Sequence, residues 1–292
     1  MKIVAVGHRG TILDGPENSI HSHNRAYEMG ARGIEFDIQS TKDNVFVVFH
    51  DSVLDHKSTG EGALKDKNYA ELKNLYLWAG NKLSSERIPT LEDALRNVRG
   101  RFMVDLDFKG GPSNSANILR NILVKTNFTS DTAPLVTIFC RDEEDYNKLK
   151  SLDDICRLRP LYQSKEQISK MSNDGVKIMG IRNHHYKSKI VRYMKERNIE
   201  AFVNSMPRLN KKEARNHTPI IGPLVAIVTK WFDSKPEKIY KKASSAKAQF
   251  IQTDDLPGLV AYLKENGIYE DQALNKYMQP LEPVRVAPEI LV

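Results

Sequence analysis

The sequence is poor in cysteine. It contains only Cys140 and Cys156 among its 292 residues. Cysteines so few and so isolated exclude a disulfide framework and a thiolate metal site. We therefore expect buried or free thiols at both positions.

The sequence also lacks a long hydrophobic run. A helix that spans a bilayer takes about 20 apolar residues, and no segment approaches that length. The opening residues, MKIVAVGHRG, pass from a short apolar run directly into polar side chains, which is not the pattern of a signal peptide. We expect a soluble protein, cytoplasmic as the sequence stands, or periplasmic or secreted if a leader peptide has been removed.

No stretch of the chain concentrates charge of one sign. Lys and Arg number 44 and Asp and Glu 37, a net charge of +7, and the two kinds are interleaved along the chain. This distribution argues against a nucleic-acid partner. A diffuse positive charge is compatible with an anionic small-molecule substrate and with peripheral contact with an acidic membrane surface. Nothing in the sequence indicates the oligomeric state.

Short β-branched runs alternate with helical patterns through the chain, which has no internal repeat or low-complexity segment. Such alternation favours a mostly parallel sheet covered by helices. With 40% hydrophobic residues, the chain is long enough for one barrel of about 250 residues. We predict a single TIM-type (β/α)8 barrel domain over residues 1–270 and a C-terminal tail over residues 271–292. The predicted strands are residues 3–7, 34–38, 45–49, 102–106, 135–139, 157–161, 176–181, 200–204 and 250–252.

These predicted strands outnumber those of an eight-stranded barrel by one. The surplus lies between residues 34 and 49, because residues 40–44 are too few for a helical crossover between parallel strands. Either the barrel is distorted, with a missing helix after the second strand, or the two runs form a hairpin-like excursion. Both arrangements keep His50 near Glu35.

A longer irregular region, residues 207–248, interrupts the later alternation. It includes the apolar segment GPLVAIVTKWF at residues 222–232, which is too short to cross a membrane. We favour an insertion made of a packed helix or a loop. The alternative is a lid or a membrane-contacting patch.

Two carboxylates lie two residues apart in the run GIEFDIQ. On a strand, this spacing points Glu35 and Asp37 to the same face. Two like charges so close are unfavourable without a cation between them, and carboxylate oxygens suit Mg²⁺ or Ca²⁺. We predict that the pair binds one divalent cation. Taken alone, the pair is also compatible with a solvated strand face.

The run FMVDLDFKG places Asp105, Asp107 and Lys109 on one face by the same spacing. In barrels, catalytic residues collect at the carboxyl ends of the strands, and two glycines end this one. We predict that Asp107 is the third metal ligand. Lys109 is predicted to contact a phosphoryl oxygen.

Two histidines end strands beside these carboxylates. His8 ends the run VGHRG, and His50 ends the run VVFHD. Hydrolysis of an ester requires one proton to be removed and one to be delivered, so we predict that the two histidines act as general acid and base. Arg9 is suited to bind phosphate bidentately, and Asp51 to orient its neighbour.

Four other histidines are further candidates for a functional role. His21 and His23 form an H-x-H pattern, but they lie in a predicted helix, where residues two apart point in different directions. We expect a surface or packing role for them. His184 and His185 follow a predicted strand at the catalytic end and are further candidates for contact with substrate.

Several motifs occur in order through residues 8–95 and resemble those of the glycerophosphodiester phosphodiesterase family. Later in the chain, IQTDDLP at residues 251–257 resembles the closing strand of the family. Motifs in the correct order are more specific than any one of them. The earlier motifs are HRG at 8–10, PENS at 16–19, AYEMGARG at 26–33, IEFDIQSTKDNVFVVFHDSVLD at 34–55, STGEGALKD at 58–66 and IPTLEDAL at 88–95.

The resemblance implies a TIM-type barrel that uses a divalent cation, Mg²⁺ or Ca²⁺, to hydrolyse glycerophosphodiesters to sn-glycerol 3-phosphate and an alcohol. Each residue carries over by its position in the match, which extends through the first ~110 residues. The implied roles are metal binding for Glu35 and Asp37, acid and base for His8 and His50, phosphate contact for Arg9 and Lys109, and a place in the site for Glu17.

The chain departs from the family pattern in three places. Asp107 stands where the family usually has glutamate, which shortens that ligand by a methylene. The late strand AFVNSM at residues 201–206 lacks the aromatic residues typical of the family. Residues 207–248 also exceed the usual connection. Two alternatives remain: a related phosphodiesterase with another headgroup or a lipid substrate, and a catalytically weak barrel that only binds phosphate esters.

Overall fold

The computed structural model describes residues 2–129, 136–161, 164–182, 188–204, 224–229, 240–241, 244 and 250–271. Most of its strands belong to one sheet. The strands are β1 Val4–His8, β2 Gly33–Ser40, β3 Phe46–Val48, β4 Tyr76–Ala79, β5 Lys82–Arg87, β6 Met103–Phe108, β7 Val136–Cys140, β8 Arg157–Pro160, β9 Ile178–Arg182, β10 Glu200–Asn204, β11 Leu224–Thr229 and β12 Phe250–Thr253.

Nine of these strands run parallel in the order β8-β7-β6-β2-β1-β12-β11-β10-β9. The two ends of this series meet where Leu161, just after β8, pairs in parallel with Gly180 of β9. The sheet thus curls into a distorted TIM-type barrel, which confirms the predicted fold class. All eight residues of β2 are buried, as expected for a parallel strand that is covered on both faces.

The surplus predicted strand forms a hairpin. Residues 46–48 of β3 pair antiparallel with β2, with Ile38 opposite Val48 and Ser40 opposite Phe46. Asn44 in the connecting turn has φ +63°, a conformation that asparagine adopts more readily than most residues. The hairpin-like alternative is therefore correct, and between residues 40 and 46, all of which the structure describes, there is no helix.

The chain after β3 makes an excursion of its own, residues 49–90, before it returns to the barrel. The excursion contains the antiparallel pair β4–β5. It packs on a separate apolar cluster, so side-chain burial stabilises it. The cluster comprises Val47, Phe49, Leu54, Leu64, Leu72, Leu77 and Ile88.

One parallel strand of the barrel was not predicted. The residues of β11 lie in the apolar segment for which we favoured a helix or a loop, and they pair in parallel with β10 and β12. For these six residues that expectation is wrong, and the barrel carries an additional parallel strand. The rest of the predicted insertion lies outside the described residues, except for Tyr240, Lys241 and Ser244. The division into residues 1–270 and 271–292 stays a prediction.

Helices connect the parallel strands, and their buried faces complete the core. The first helix begins at a capping box in which the side chains of Ser19 and Ser22 each accept a hydrogen bond from the other residue's backbone N–H. Both cysteines are buried, as expected. In the described part of the chain, no helix combines the length and hydrophobicity that a bilayer span requires. The helices are α1 Ile20–Glu28, α2 Tyr69–Leu72, α3 Leu91–Val98, α4 Ser115–Lys125, α5 Glu143–Leu149, α6 Lys165–Asn173, α7 Ser188–Lys195 and α8 Leu256–Glu265.

Candidate active site

Three predicted metal ligands meet at the carboxyl ends of two neighbouring strands. Glu35 and Asp37 lie on β2, and Asp107 lies on β6, where it is directly opposite Asp37 in the strand register. One carboxylate oxygen from each of the three lies within 4.8 Å of those of the other two. The two-residue spacing therefore places the side chains together, as the sequence predicted.

The three carboxyl groups differ in their electrostatic surroundings. Burial, together with the charge of Asp37, raises the pKa of Glu35 to about 8. Burial also raises the pKa of Asp107, despite the opposing charge of Lys109. At Asp37 burial is outweighed by the charges of Lys109 and Arg9, which lower its pKa to about 2. Negative charge at Glu35 and Asp107 is therefore poorly compensated by the protein itself.

Two cations flank Asp37. The ammonium of Lys109 lies 2.7 Å from one carboxylate oxygen of Asp37 and also donates a hydrogen bond to Asp107. The Arg9 Nε lies 3.1 Å from the other oxygen of Asp37, and another nitrogen of its guanidinium donates to Glu17 at 3.0 Å. Residues predicted from widely separated motifs thus form one chain of alternating charges.

The backbone conformation at Arg9 and Asn18 lets both residues contact the carboxylates of this charge network. Both residues have positive φ, +54° and +59°, and the Asn18 N–H donates to the Arg9 carbonyl at 2.9 Å. The Arg9 N–H points to Glu35 Oε2 at 3.1 Å, and the Asn18 amide donates to Asp37 Oδ2 at 2.9 Å. Asn18 was not predicted as a site residue, although it stands inside the quoted PENS motif.

His8 ends β1 beside the carboxylates. Its Nδ1 lies 2.6 Å from Asp254 Oδ1, and its Nε2 lies 3.8 Å from Glu35 Oε2. Burial lowers the pKa of His8, but the hydrogen bond to Asp254 and the charge of Glu35 outweigh it, so the pKa lies above its usual value. Asp254 was missed by the sequence reasoning. Its only signal was the IQTDDLP run, which was read as a strand.

His50 follows β3 at the same end of the barrel. Its Nδ1 lies 2.6 Å from Asp51 Oδ1, so the orienting role predicted for Asp51 agrees with the contact. The backbone N–H of Phe49, just before it, donates to the Asp37 carbonyl at 3.0 Å. His8 and His50 therefore share one arrangement, in which a carboxylate holds Nδ1 and Nε2 is left for other chemistry.

The carboxylate cluster fits a hard divalent cation. All three groups offer oxygen ligands, the kind that Mg²⁺ and Ca²⁺ prefer. Asp107 Oδ1 is buried without a hydrogen-bond partner, and a buried acceptor in that state is unfavourable unless something else approaches it. The shorter side chain at this position has not removed Asp107 from the cluster.

Two charged residues near the cluster, Lys57 and Arg141, were not predicted as site residues. A third, Asp105, was predicted only to lie on the same face of its strand as Asp107. Lys57, from the excursion, lies 3.2 Å from Glu17, and Arg141, just after β7, lies 3.8 Å from Asp107. Asp105 lies opposite Glu35 in the strand register and accepts two hydrogen bonds from the buried Arg159, at 2.8 and 2.7 Å. Its carboxylate is therefore paired with a cation of the barrel interior.

The two H-x-H histidines take the packing and surface positions that we expected. His23 is fully buried and stacks on Phe36, with ring centroids 5.0 Å apart. The side chain of His21 is 39% exposed and lies 3.7 Å from Asp14. His184 and His185 lie outside the described residues, so their contact with substrate stays a prediction.

Comparison with known proteins gives consistent matches. The model of a family described as the glycerophosphoryl diester phosphodiesterase family matches residues 8–205. A glycerophosphodiester phosphodiesterase of Caldanaerobacter subterraneus is 41% identical over 114 residues, which cover 38% of this chain and 47% of the relative. Mouse glycerophosphodiester phosphodiesterase 1 is 34% identical over 126 residues, which cover 41% of this chain and 38% of the relative.

The fold is also found among solved structures. A phosphodiesterase of Oleispira antarctica, in complex with the product sn-glycerol 3-phosphate, aligns with 90% of this chain and 97% of its own, at 18% identity and a TM-score of 0.68. The sequence matches, in contrast, span less than half the length of the curated relatives named above.

Proposed function

Because the chain belongs to the glycerophosphoryl diester phosphodiesterase family, we propose that it is a divalent-metal-dependent hydrolase that converts glycerophosphodiesters to sn-glycerol 3-phosphate and an alcohol. The observation that carries this proposal is the carboxylate cluster of Glu35, Asp37 and Asp107. It lies at the end of the barrel where enzymes of this architecture place their chemistry. The partner is a small molecule, and nucleic acid is not expected.

Glu35, Asp37 and Asp107 would hold the cation, Mg²⁺ or Ca²⁺. A divalent cation bound by such groups supplies positive charge that stabilises the negative charge developing on the phosphoryl group. The raised pKa of Glu35, about 8, and of Asp107 supports this assignment, because both carboxyl groups lack enough positive charge from the protein to ionise readily. Asp37 is already compensated by two side-chain cations.

His8 and His50 would transfer the two protons of the reaction. One imidazole takes the proton of the attacking hydroxyl group as the P–O bond forms. The other gives a proton to the alcohol oxygen as its bond to phosphorus breaks. Asp254 and Asp51 each hold one Nδ1 at 2.6 Å, which fixes the ring orientation and directs Nε2 to the reacting groups.

Arg9 and Lys109 would bind the phosphate oxygens. Both are held close to the carboxylate cluster by Asp37, and Glu17 fixes the far side of the Arg9 guanidinium at 3.0 Å. A planar guanidinium held on two sides presents its remaining donors in a fixed direction. Glu17 therefore acts by orienting Arg9, which agrees with the place in the site that the sequence implied for it.

Product analysis tests the proposed reaction. The purified protein is incubated with glycerophosphocholine, glycerophosphoethanolamine and glycerophosphoinositol in the presence of Mg²⁺, and sn-glycerol 3-phosphate is measured. At least one diester is expected to be cleaved with release of this product. His50→Ala is expected to lower kcat by about 10²–10⁴-fold, the range for loss of a general acid or base.

The matched control is His56→Ala, because His56 is an exposed histidine in the same excursion. It is expected to keep the wild-type kcat. Unaltered turnover in His50→Ala would contradict the role of the histidine. Binding of sn-glycerol 3-phosphate with no cleavage of any diester would overturn the hydrolase and favour a phosphate-ester-binding barrel.

A further inference from the structure

Gln39 makes a pair of contacts that the proposed reaction does not use. Its side chain is 8% exposed, at the end of β2. Its Nε2 donates to the carbonyl of Phe49 at 2.7 Å and to that of Asp51 at 2.9 Å. Both partners are acceptors, so the orientation of the amide is determined by its surroundings. The two carbonyls belong to the residues on either side of His50.

Backbone hydrogen bonds hold the segment that carries His50 at some distance from the histidine. The ladder of β3 ends at Val48, so His50 itself lies outside the sheet. Its ring is 33% exposed, and Nδ1 contacts Asp51, whose own backbone is held by Gln39. The Phe49 N–H donates to the Asp37 carbonyl at 3.0 Å before His50, and the Leu64 N–H donates to the Ser52 carbonyl at 3.0 Å after it. The Gln39 amide binds the residues directly before and directly after His50 at the same time.

Gln39 also ties His50 to the metal ligands. Glu35, Asp37 and Gln39 are each two residues apart on one strand, so they lie on the same face of β2. We propose that Gln39 is a positioning residue, which sets the location of the His50 imidazole relative to the carboxylate cluster. This proposal rests on the proposed function, because it assigns a purpose to the place of His50 in that reaction.

The size of the effect follows from the geometry. A proton-transferring group acts only within hydrogen-bond reach of the reacting oxygen, so a small displacement of the His50 backbone is sufficient to lower the rate. Loss of a group that orients an active-site ligand typically lowers activity by about 10–100-fold. Because the Gln39 amide donates to two backbone carbonyls, its loss should lower kcat and leave KM nearly unchanged.

A double-mutant cycle separates positioning from a general loss of structure. Gln39→Met keeps the length of the side chain and removes both donors, and Gln39→Leu is a second variant in case the first does not fold. In the wild-type background, kcat should fall by about 10–100-fold. In the His50→Ala background, the same substitution should change kcat by less than about 2-fold, because the group being positioned is already absent.

Gln167→Leu is the matched control, since it removes an amide of similar burial, 9% exposed, from α6 far along the chain. It should leave kcat unchanged. Equal losses for Gln39→Met in the two backgrounds, or an unchanged kcat in the wild-type background, would overturn the positioning role.

Hydrogen exchange provides a readout that does not depend on activity. Amide exchange in the peptide of residues 47–54 should be at least about 10-fold faster in Gln39→Met than in the wild type, as for loss of a local hydrogen-bonded constraint. Gln167→Leu should leave it unchanged. If the wild type cleaves no diester, the proposed function fails, while faster exchange still supports the hold of Gln39 on this segment. Unchanged exchange would contradict that hold.

Discussion

At the scale of single residues, the same chemical group behaves differently according to the cations near it. Asp37 is buried as deeply as Glu35, yet the pKa of Asp37 falls to about 2 and that of Glu35 rises to about 8. The difference arises because Lys109 and Arg9 both lie within 3.1 Å of Asp37. A bound cation therefore changes the state of Glu35 more than that of Asp37.

His23 provides a test of burial at this scale. Its pKa is lowered to about 3 by burial and by the nearby charge of Arg101. The neutral form is favoured in the folded state, so below pH 6.5 the unfolded chain binds the proton more readily and stability is lost as the pH falls. As the pH falls from 6 to 4, the contribution of His23 to the free energy of unfolding should decline by up to about 1.4 kcal/mol per pH unit.

We expect His23→Phe to remove this dependence, because phenylalanine keeps the stacking on Phe36 and does not titrate. Neither ring nitrogen of His23 has a hydrogen-bond partner that the substitution would break. Urea unfolding of both proteins at pH 7, 6, 5 and 4.5 measures the difference. As the pH falls, the free energy of unfolding of the variant should rise relative to that of the wild type. If the two proteins show the same dependence of this free energy on pH, His23 does not contribute to it.

The carboxylate cluster was predictable from the sequence by two rules. A strand alternates its side chains with a period of two, which places Glu35 and Asp37 on one face, and the rule that catalytic residues collect at the carboxyl ends of barrel strands adds Asp107. Asn18 and Asp254 were missed for the opposite reason. Their hydrogen-bond partners are 19 and 246 positions away in the sequence, respectively, and no local sequence pattern indicates such a partner.

At the scale of elements, the first helix links the sequence signals to the site. Its cap residue Ser19 accepts from the Ser22 N–H at 3.0 Å and donates to the Pro16 carbonyl at 2.8 Å, and Ser22 Oγ donates to the Arg9 carbonyl at 3.1 Å. The helix start therefore holds the same loop that carries Arg9 and Asn18. This explains why the capping signal and the PENS motif coincide.

Ser19→Ala should lower the free energy of unfolding by about 1–2 kcal/mol, the upper part of the range for a helix cap, because the groups it leaves unpaired are buried. Ser164→Ala is the matched control, since Ser164 caps α6 by accepting from the Gln167 N–H at 3.2 Å. It should lower the same quantity by about 0.5–1 kcal/mol. Chemical denaturation measures both. A loss no larger in Ser19→Ala than in Ser164→Ala would show that the buried network adds nothing.

Strong periodicity decided which elements could be predicted. All nine strands proposed from β-branched runs are present within a few residues of their predicted bounds. The β4–β5 pair was missed because β4 has only four residues and the sequence of β5, KLSSER, is polar. The apolar run of β11 was read as helix or loop because periodicity alone does not separate a short buried strand from a buried helix. Its neighbours β10 and β12 determine the outcome.

At the scale of the whole molecule, the barrel closes around a buried ion pair. Asp105 of β6 receives both hydrogen bonds from Arg159 of β8, and the Arg159 guanidinium lies 4.6 Å from the centre of the Phe139 ring on β7. A Cβ atom at Gly180 of β9 would come within 3.0 Å of that ring. Side chains from three consecutive strands therefore fill the interior beside the seam, and the glycine of β9 leaves room for the Phe139 ring.

Asp105→Ala should lower the free energy of unfolding by about 3–5 kcal/mol, because it removes the carboxylate that compensates a guanidinium only 2% exposed. Asp105→Leu combined with Arg159→Met should be less damaging than Asp105→Ala, since it removes both charges. The surface pair of Arg120 and Asp154, at 2.7 Å, is the control, and Asp154→Ala should cost no more than about 1 kcal/mol. Similar losses in the two aspartate variants would contradict a structural role for the interior pair.

The central claim concerns the whole site: hydrolysis depends on a divalent cation held by Glu35, Asp37 and Asp107. The most direct measurement is the initial rate of sn-glycerol 3-phosphate release from the best diester substrate, before chelation with EDTA, after it, and after Mg²⁺ or Ca²⁺ is restored. The rate should vanish on chelation and return with the cation in the wild type, but not in Glu35→Gln at the same cation concentration. An undiminished rate in EDTA, or full recovery in Glu35→Gln, would contradict the account.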